Sequence, residues 1–292
     1  MRVTQSMLAA NSLRHLSQSY SNMGKYQDQL ATGKKINRPS DDPVVAIKGM
    51  YYRTNLTEVE QYKRNLSEAY QWMENSEAGI EHATQVIQRV RELLIQGQNG
   101  TNSPEDLKSI AVEIGQLKED LANVANTQVA GRYIFNGTKT DSAPVTIDNG
   151  TITVDMNTEA FNVEVSSGVN LKVNINPSNI FGEDLFITLQ SIEDALNSGN
   201  METGDELLEH LDNHFDVMSA ERSEIGARYN RLEMIDARIQ DQEIIANRIL
   251  SENEDADIEK VITDLTIQES IHRASLAVSS KIIQPTLIDF LR

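Results

Sequence analysis

Residues 59–94 read VEQYKRNLSEAYQWMENSEAGIEHATQVIQRVRELL, and this stretch decides the fold. Alternating steps of three and four residues from Val59 reach apolar side chains throughout, with Ser76 as the one polar exception. A 3.5-residue repeat held for about five heptads is typical of a coiled-coil seam. The apolar members of the seam are Val59, Tyr62, Leu66, Ala69, Met73, Ile80, Ala83, Ile87, Val90 and Leu94.

The helix that contains this seam is predicted to be unusually long. Pro43 suits the first helical turn and Asp42 suits the N-cap, whereas Gly97 is a suitable end. At about 1.5 Å per residue this helix would be about 80 Å long, far beyond the average globular helix. A shorter helix is predicted upstream, ending near Gly33, and a third after the cap at Ser103.

A second long helix is predicted over residues 204–250. Its seam includes Leu211, Phe215, Met218, Ile225, Leu232 and Ile239. A shorter helix with Leu185 and Leu196 precedes it, and a last helix begins near Ile258. The acidic residues at 252–259 are interpreted as a solvated break between the last two helices, because they lack the Gly and ligand spacing of an EF-hand.

Residues 138–176 have a different period, because apolar residues there alternate with polar ones. Asn149-Gly150 is the strongest short hairpin signal, and a two-residue loop places Ile147 opposite Ile152. About four strands are predicted here. The expected fold is therefore mainly α, an elongated antiparallel helical rod or coiled coil formed by the N- and C-terminal halves, with a small β-rich insertion in the middle. The expected domains are a terminal helical domain (1–42 and 251–292), a rod domain (43–137 and 177–250) and the insertion (138–176).

Composition excludes several classes of function. The net charge of −18 argues against nucleic acid and against an anionic membrane surface, both of which need clustered Lys and Arg. The chain has no Cys, which excludes disulfides, thiolate nucleophiles and Cys-bound zinc. The N-terminus has no apolar core of a signal peptide, and no apolar run reaches the roughly 20 residues that span a bilayer.

The one candidate for chemistry is a histidine pair. His210 and His214 lie four residues apart on a predicted helix, a spacing that can hold a metal, but no HExxH order or third ligand accompanies them. Solvated surface histidines are the better interpretation. No nucleophile elbow or phosphate loop is found in the sequence either. We therefore expect no catalysis, no metal and no cofactor.

Four segments resemble the flagellin superfamily. LATGKKINRPSDDP at 30–43 resembles the turn between the first two helices of that superfamily, and EDAD at 254–257 resembles the motif that opens its last helical region. GRYIFNGTKT at 131–140 and the ending at 274–291 resemble, more narrowly, the distal hook–filament junction proteins of this superfamily. Together the matches cover both ends of the chain, about two thirds of it, but not the β insertion.

The resemblance implies a structural subunit of the bacterial flagellum between hook and filament. It implies export through the flagellar type III apparatus without a cleavable signal, and an extracellular location. Implied partners are the proximal hook-associated junction protein, flagellin, further copies in a junction ring and an export chaperone. The terminal regions would form the assembly domain and order on assembly. The expected interface residues are Leu13, Leu16, Tyr20, Met23, Leu30, Leu265, Leu276, Ile282, Ile283, Leu287, Ile288, Phe290 and Leu291.

Three alternatives remain open at the level of sequence. The first is flagellin itself, the bulk subunit of the filament, which the segment at 131–140 and the C-terminal motif disfavour. The second is a soluble signalling coiled coil, which explains the heptads but neither the β insertion nor the turn at 37–43. The third is an enzyme, which rests on His210 and His214 alone.

Overall fold

The computed structural model describes residues 5–99, 102–148 and 151–283. The fold is mainly α with small antiparallel hairpins, and the predicted helices and strands occur in the predicted order, with one short helix and one short hairpin in addition. The helices are α1 Gln5–Thr32, α2 Pro43–Gln98, α3 Pro104–Ala125, α4 Pro177–Phe181, α5 Glu183–Ser198, α6 Gly204–Glu254 and α7 Ile258–Ile283. The strands are β1 Gln128–Val129, β2 Arg132–Tyr133, β3 Val145–Asp148, β4 Thr151–Val154, β5 Asn162–Ser166 and β6 Val169–Lys172.

The chain divides into two compact units. The terminal unit comprises Met1–Glu58 and Gln242–Arg292, and the central unit comprises Val59–Asp241. The division therefore lies inside α2 and α6 rather than at the helix boundaries from which the expected domains were drawn. The central unit also includes the short helix α4, which was not predicted; Asn176 caps it and Gly182 follows it.

Helix ends follow the capping residues seen in the sequence. The Asp42 carboxylate accepts hydrogen bonds from the backbone N–H of Val44 and of Val45, which confirms it as the N-cap of α2. Ser103 and Asp106 form a reciprocal capping box at the start of α3. Gly33 has a φ of 70°, and its N–H donates to the carbonyl of Gln29, so it ends α1 as predicted.

The central unit has a continuous apolar core that contains the predicted seams. The α2 residues Leu66, Met73 and Ile80 are at most 1% exposed, and Val59, Ile87, Val90 and Leu94 are also buried. From α6, Leu211, Met218, Ile225, Leu232 and Ile239 are buried, while Phe215 and the α2 residue Tyr62 are partly buried.

Helices α2 and α6 run antiparallel in this unit. Arg91 donates to Asp212 at 2.7 Å and Arg222 donates to Glu77 at 2.6 Å, so residue numbers rise along one helix as they fall along the other. The rings of Tyr70 and Tyr229 lie edge to face at 5.3 Å. Side chains from both long helices therefore form one core, as antiparallel seams require.

The hairpin predicted at Asn149-Gly150 has the expected register. Val145 pairs with Val154 and Ile147 with Ile152 in the β3–β4 ladder. Strands β5 and β6 form a second hairpin. Ile147 is nevertheless exposed, so only part of the apolar face reaches the core.

A further hairpin, β1–β2, was missed in the sequence. Its two-residue turn consists of Ala130 at φ 51° and Gly131 at φ 78°, and the positive φ of an alanine gives no sequence signal of a turn. Helix α3 ends at Ala125, three residues before Gln128 begins β1.

In the terminal unit, α1 and α7 pack against each other in opposite directions. Gln268 Nε2 donates to Ser19 Oγ at 2.9 Å, and farther along an antiparallel bridge joins Lys34 to Asp255. Among the described residues of this unit, the only buried hydrophobic side chains are those of Ala246 and Val261. The terminal unit therefore has almost no apolar core of its own.

Candidate assembly interface

The α1–α2 turn of the terminal unit is joined by backbone hydrogen bonds to the α6–α7 junction. The N–H of Lys35 donates to the carbonyl of Glu254 at 2.7 Å, and the N–H of Ala256 donates to the carbonyl of Gly33 at 2.8 Å. Asn253 Nδ2 donates to the carbonyl of Val45 at 3.1 Å. These contacts link residues more than 200 positions apart and hold the start of α7 beside the end of α1.

The side chain of Glu254 lies at the centre of this junction. Glu254 is only 4% exposed, and its Oε2 accepts from an Arg53 guanidinium nitrogen at 2.7 Å, with Lys34 Nζ at 3.6 Å. Gly49 lies against the same carboxylate, because a β-carbon there would be 2.4 Å from Oε1. We call Lys34, Gly49, Arg53, Glu254 and Asp255 the carboxylate clasp.

The second carboxylate of the clasp is held by hydrogen bonds. Lys34 Nζ donates to Asp255 Oδ1 at 2.6 Å, and the Ser251 hydroxyl donates to Oδ2. The hydrogen bond from Lys34, followed by that from Ser251, lowers the pKa of Asp255. The hydrogen bond to Asp255 in turn raises the pKa of Lys34, against the opposing effect of desolvation.

The interpretation of residues 252–259 as a solvated junction is therefore wrong at Glu254. The break between α6 and α7 lies where it was predicted, but Glu254 points inward because Arg53 and Lys34 from distant parts of the chain neutralise it. Acidic residues on a helix end are usually solvated, and nothing in the local sequence distinguishes Glu254 from Glu252. The sequence signal that could have identified it was Gly49, a glycine inside a long helix.

The predicted interface residues fall into four groups. Leu13, Tyr20, Leu30 and Leu276 are exposed. Leu16, Met23 and Leu265 are half-buried. Ile282 and Ile283 lie in the last turn of α7, whereas Leu287, Ile288, Phe290 and Leu291 lie outside the described residues.

An apolar stripe on the first turns of α2 was not predicted from the sequence. Val44, Ile47, Met50 and Tyr51 are 60–67% exposed and lie on one helical face. Gly49 lies on the opposite face, against the clasp. The missed signal was a spacing of three and four residues that starts directly after the N-cap.

Exposed apolar side chains are concentrated in the terminal unit. Besides the α2 stripe, the large hydrophobic residues exposed there are Met7, Leu8, Leu13, Tyr20, Leu30, Ile244, Ile245, Ile258, Ile262, Ile267, Ile271, Leu276 and Val278. Within the described residues, the central unit exposes far fewer of them over a longer stretch of chain. These exposed apolar side chains are candidates for contacts with other molecules.

The histidine pair has no metal-site geometry. His210 is exposed and His214 is half-buried, and desolvation lowers the pKa of His214. Across residues 5–99, 102–148 and 151–283, no three His, Cys, Asp or Glu side chains are grouped so that they could hold a metal ion. In the same residues, no helix combines the length and the apolarity that crossing a membrane requires.

Comparison with known proteins gives matches along nearly the whole chain. The profile of the bacterial flagellin N-terminal helical region matches residues 3–140. Flagellar hook-associated protein 3 of Escherichia coli K12 is 27% identical over 94% of this chain and 95% of its own length. Flagellin of Bacillus subtilis 168 is 26% identical over 95% of each chain.

A solved structure shows the same fold. The putative flagellar hook-associated protein from Vibrio parahaemolyticus superposes with a TM-score of 0.68 at 21% identity, over 74% of this chain and all of the other. The turn at 30–43, the junction at 254–257, the order of the helices and these alignments agree with one another. Residues 3–140 are thus similar to the bacterial flagellin N-terminal helical region, and the relatives that this chain resembles along nearly its whole length are flagellar hook-associated proteins and flagellins.

Proposed function

We propose that this chain is a structural subunit of the bacterial flagellum that forms the junction between hook and filament. The observation that carries the proposal is the alignment with flagellar hook-associated protein 3 over 94% of the chain. The segments at 131–140 and 274–291, which resemble the distal junction proteins, support the narrower assignment.

The structure supports an assembly role for the terminal unit. Its helices expose large apolar side chains and bury almost none among the described residues. Burying one such side chain fully is favourable by about 1.5–3 kcal/mol. Contacts with neighbouring subunits that cover these side chains would therefore stabilise the assembly. The exposed Leu13, Tyr20, Leu30 and Leu276, together with the α2 stripe, are the surface that we assign to subunit contacts.

The proposal includes specific partners and a location. The proximal hook-associated junction protein would lie on one side, flagellin on the other, and further copies of this chain would complete a junction ring. Export by the flagellar type III apparatus, with a chaperone, would deliver the chain to the cell exterior. Its role would be structural and not enzymatic, which agrees with relatives that are structural flagellar proteins.

A deletion strain tests the proposal directly. Cells that lack this protein should keep their hooks, lose their filaments and shed flagellin monomers into the medium. Electron microscopy of the cell surface and immunoblots of the medium measure both effects, and complementation with the intact gene is the control. Normal filaments in the deletion strain would refute the junction role.

Bulk filament flagellin is the second candidate. Flagellins such as that of Bacillus subtilis align over as much of the chain as the hook-associated proteins do. A self-polymerisation assay separates the two functions, because a bulk subunit grows long filaments from seeds. A junction subunit should stop at short assemblies that flagellin can then extend.

A further inference from the structure

Charge is distributed unevenly along this acidic chain. Residues 1–42 contain six Lys or Arg and three Asp, although the whole chain has a net charge of −18. Between Lys172 and Arg222 there are eleven Asp or Glu and no Lys or Arg. Two segments of the same molecule are thus electrostatically complementary.

The basic segment forms a pocket in the terminal unit. Residues of α1 and of the α1–α2 turn line a cavity of about 280 Å³, and among them are the cations Lys25, Lys35 and Arg38 and the carboxylates Asp28 and Asp41. The Lys35 ammonium also donates to the backbone carbonyl of Glu252. The Asp41 carboxylate at its edge accepts backbone N–H groups of residues 37 and 38. Among the described residues, the Lys25 ammonium and the Arg38 guanidinium make no ion pair. We call this group the cationic pocket.

The acidic segment forms a stripe on α6. Asp205, Glu209, Asp212 and Asp216 are spaced by four, three and four residues, so they share one face of the helix, and all four are exposed. Arg91 pairs with Asp212. Within the described part of the chain, Glu209 and Asp216 have no cationic partner. We call these four residues the acidic stripe.

We infer that the cationic pocket binds the acidic stripe of a second copy of this chain. The inference rests on the proposed function, since it names a contact between subunits of the assembly. Because pocket and stripe are different surfaces, the contact is heterologous, and repeated heterologous contacts build rings or open helices. Opposite charges guide the encounter and set its orientation, while the acidic surfaces of two copies otherwise repel each other.

Charge reversal tests the contact in purified full-length protein. Lys25→Glu/Arg38→Glu reverses the pocket, and Glu209→Lys/Asp216→Lys reverses the stripe. Each double variant should self-associate about tenfold more weakly than the wild type in sedimentation experiments at low salt. A mixture of the two variants should associate as strongly as the wild type, because the reversed pocket then meets a reversed stripe.

The matched control for the pocket variant is Lys108→Glu/Arg231→Glu. It makes the same change in net charge as the pocket variant, but at exposed cations outside the pocket. It should keep wild-type association, and circular dichroism should show that every variant is folded. Salt should weaken the wild-type association, because exposed charges are screened beyond about 10 Å at 0.1 M.

Three outcomes would overturn the inference: a wild type that stays monomeric at low salt, a control as weak as the pocket variant, or a mixture that does not regain association. The deletion strain reports on the proposed function independently. If it loses its filaments while the mixture fails to associate, the chain remains a junction subunit and only this contact is refuted.

Discussion

The α-carbon of Gly49 lies so close to the Glu254 side chain that a β-carbon at this position would be 2.4 Å from Oε1 of Glu254. The glycine is in the interior of α2, where it has a low helix propensity. Its presence lets the buried carboxylate approach α2 while it binds Arg53 at 2.7 Å. One missing methyl group therefore permits the carboxylate clasp.

The first prediction follows from this contact. Gly49→Ala should destabilise the terminal unit by about 1–2 kcal/mol, because overpacking costs about 1–3 kcal/mol and alanine regains up to about 1 kcal/mol in helix propensity. Hydrogen exchange of the backbone amides of α1 and α7 measures this loss of stability. The matched control is Gly24→Ala in α1, where nothing lies within 4 Å of the added atom and stability should rise. Equal effects of the two substitutions would contradict the role of Gly49.

The second prediction concerns pH. The pKa of Asp255 is lowered in the folded state, so its contribution to stability is present above the unfolded pKa and is lost as pH falls through the folded value. The pKa of Lys34 is raised, so its contribution is lost only when pH rises above the unfolded value. The protection of α7 amides against hydrogen exchange, measured relative to the intrinsic exchange rate at each pH, should therefore fall below about pH 4. In Asp255→Asn this acid-dependent step should be smaller, and an unchanged step would exclude Asp255 as its source.

The third prediction concerns the central core. Leu66 is 1% exposed and Ile80 is 0% exposed, so replacing either with Ala should cost about 2–5 kcal/mol. Val112→Ala, at a position that is 67% exposed, is the control and should change stability by less than about 0.5 kcal/mol. Denaturant unfolding measures all three variants. Unchanged midpoints for both core variants would mean that the seam faces a partner instead.

The fourth prediction concerns Ser76, the polar member of the α2 seam. Its side chain is fully buried, and its hydroxyl has no hydrogen-bond partner among the described residues. Ser76→Ala should therefore raise stability by about 1 kcal/mol, since it removes an unsatisfied polar group and improves helix propensity. Ser223→Ala on exposed α6 surface is the comparison and should be nearly neutral. A clear loss of stability in Ser76→Ala would show that the hydroxyl is satisfied.

The fifth prediction concerns the free subunit. Limited proteolysis of the monomer should cut near residues 1–40 and 258–292 first and leave a resistant body between about 43 and 250. Local opening costs little where few apolar side chains are buried, and among the described residues of the terminal unit the only buried hydrophobic side chains are Ala246 and Val261. Mass spectrometry of the fragments locates the cuts. Uniform protection along the chain would mean that the terminal helices are stable without partners.

The sequence alone was sufficient for features that depend on neighbouring residues. The period of residues 59–94 predicted a long helix with a buried face, and Asp42, Ser103 and Gly33 located helix ends. The register of Val145 with Val154 followed from a two-residue turn. Each of these depends on residues a few positions apart, whose geometry is the same in any protein.

Other features depended on how distant parts of the chain meet. Glu254 and Glu252 are equivalent in the local sequence, yet only Glu254 meets Arg53, which is 201 residues away along the chain. Similarly, the periods of α1, α7 and the first turns of α2 predict apolar faces but not which of them stay uncovered. The tertiary structure determined the burial of Glu254 and the choice of the apolar faces that stay exposed, because burial depends on which distant parts of the chain pack against each residue. A face that no part of the chain covers is available to a neighbouring subunit.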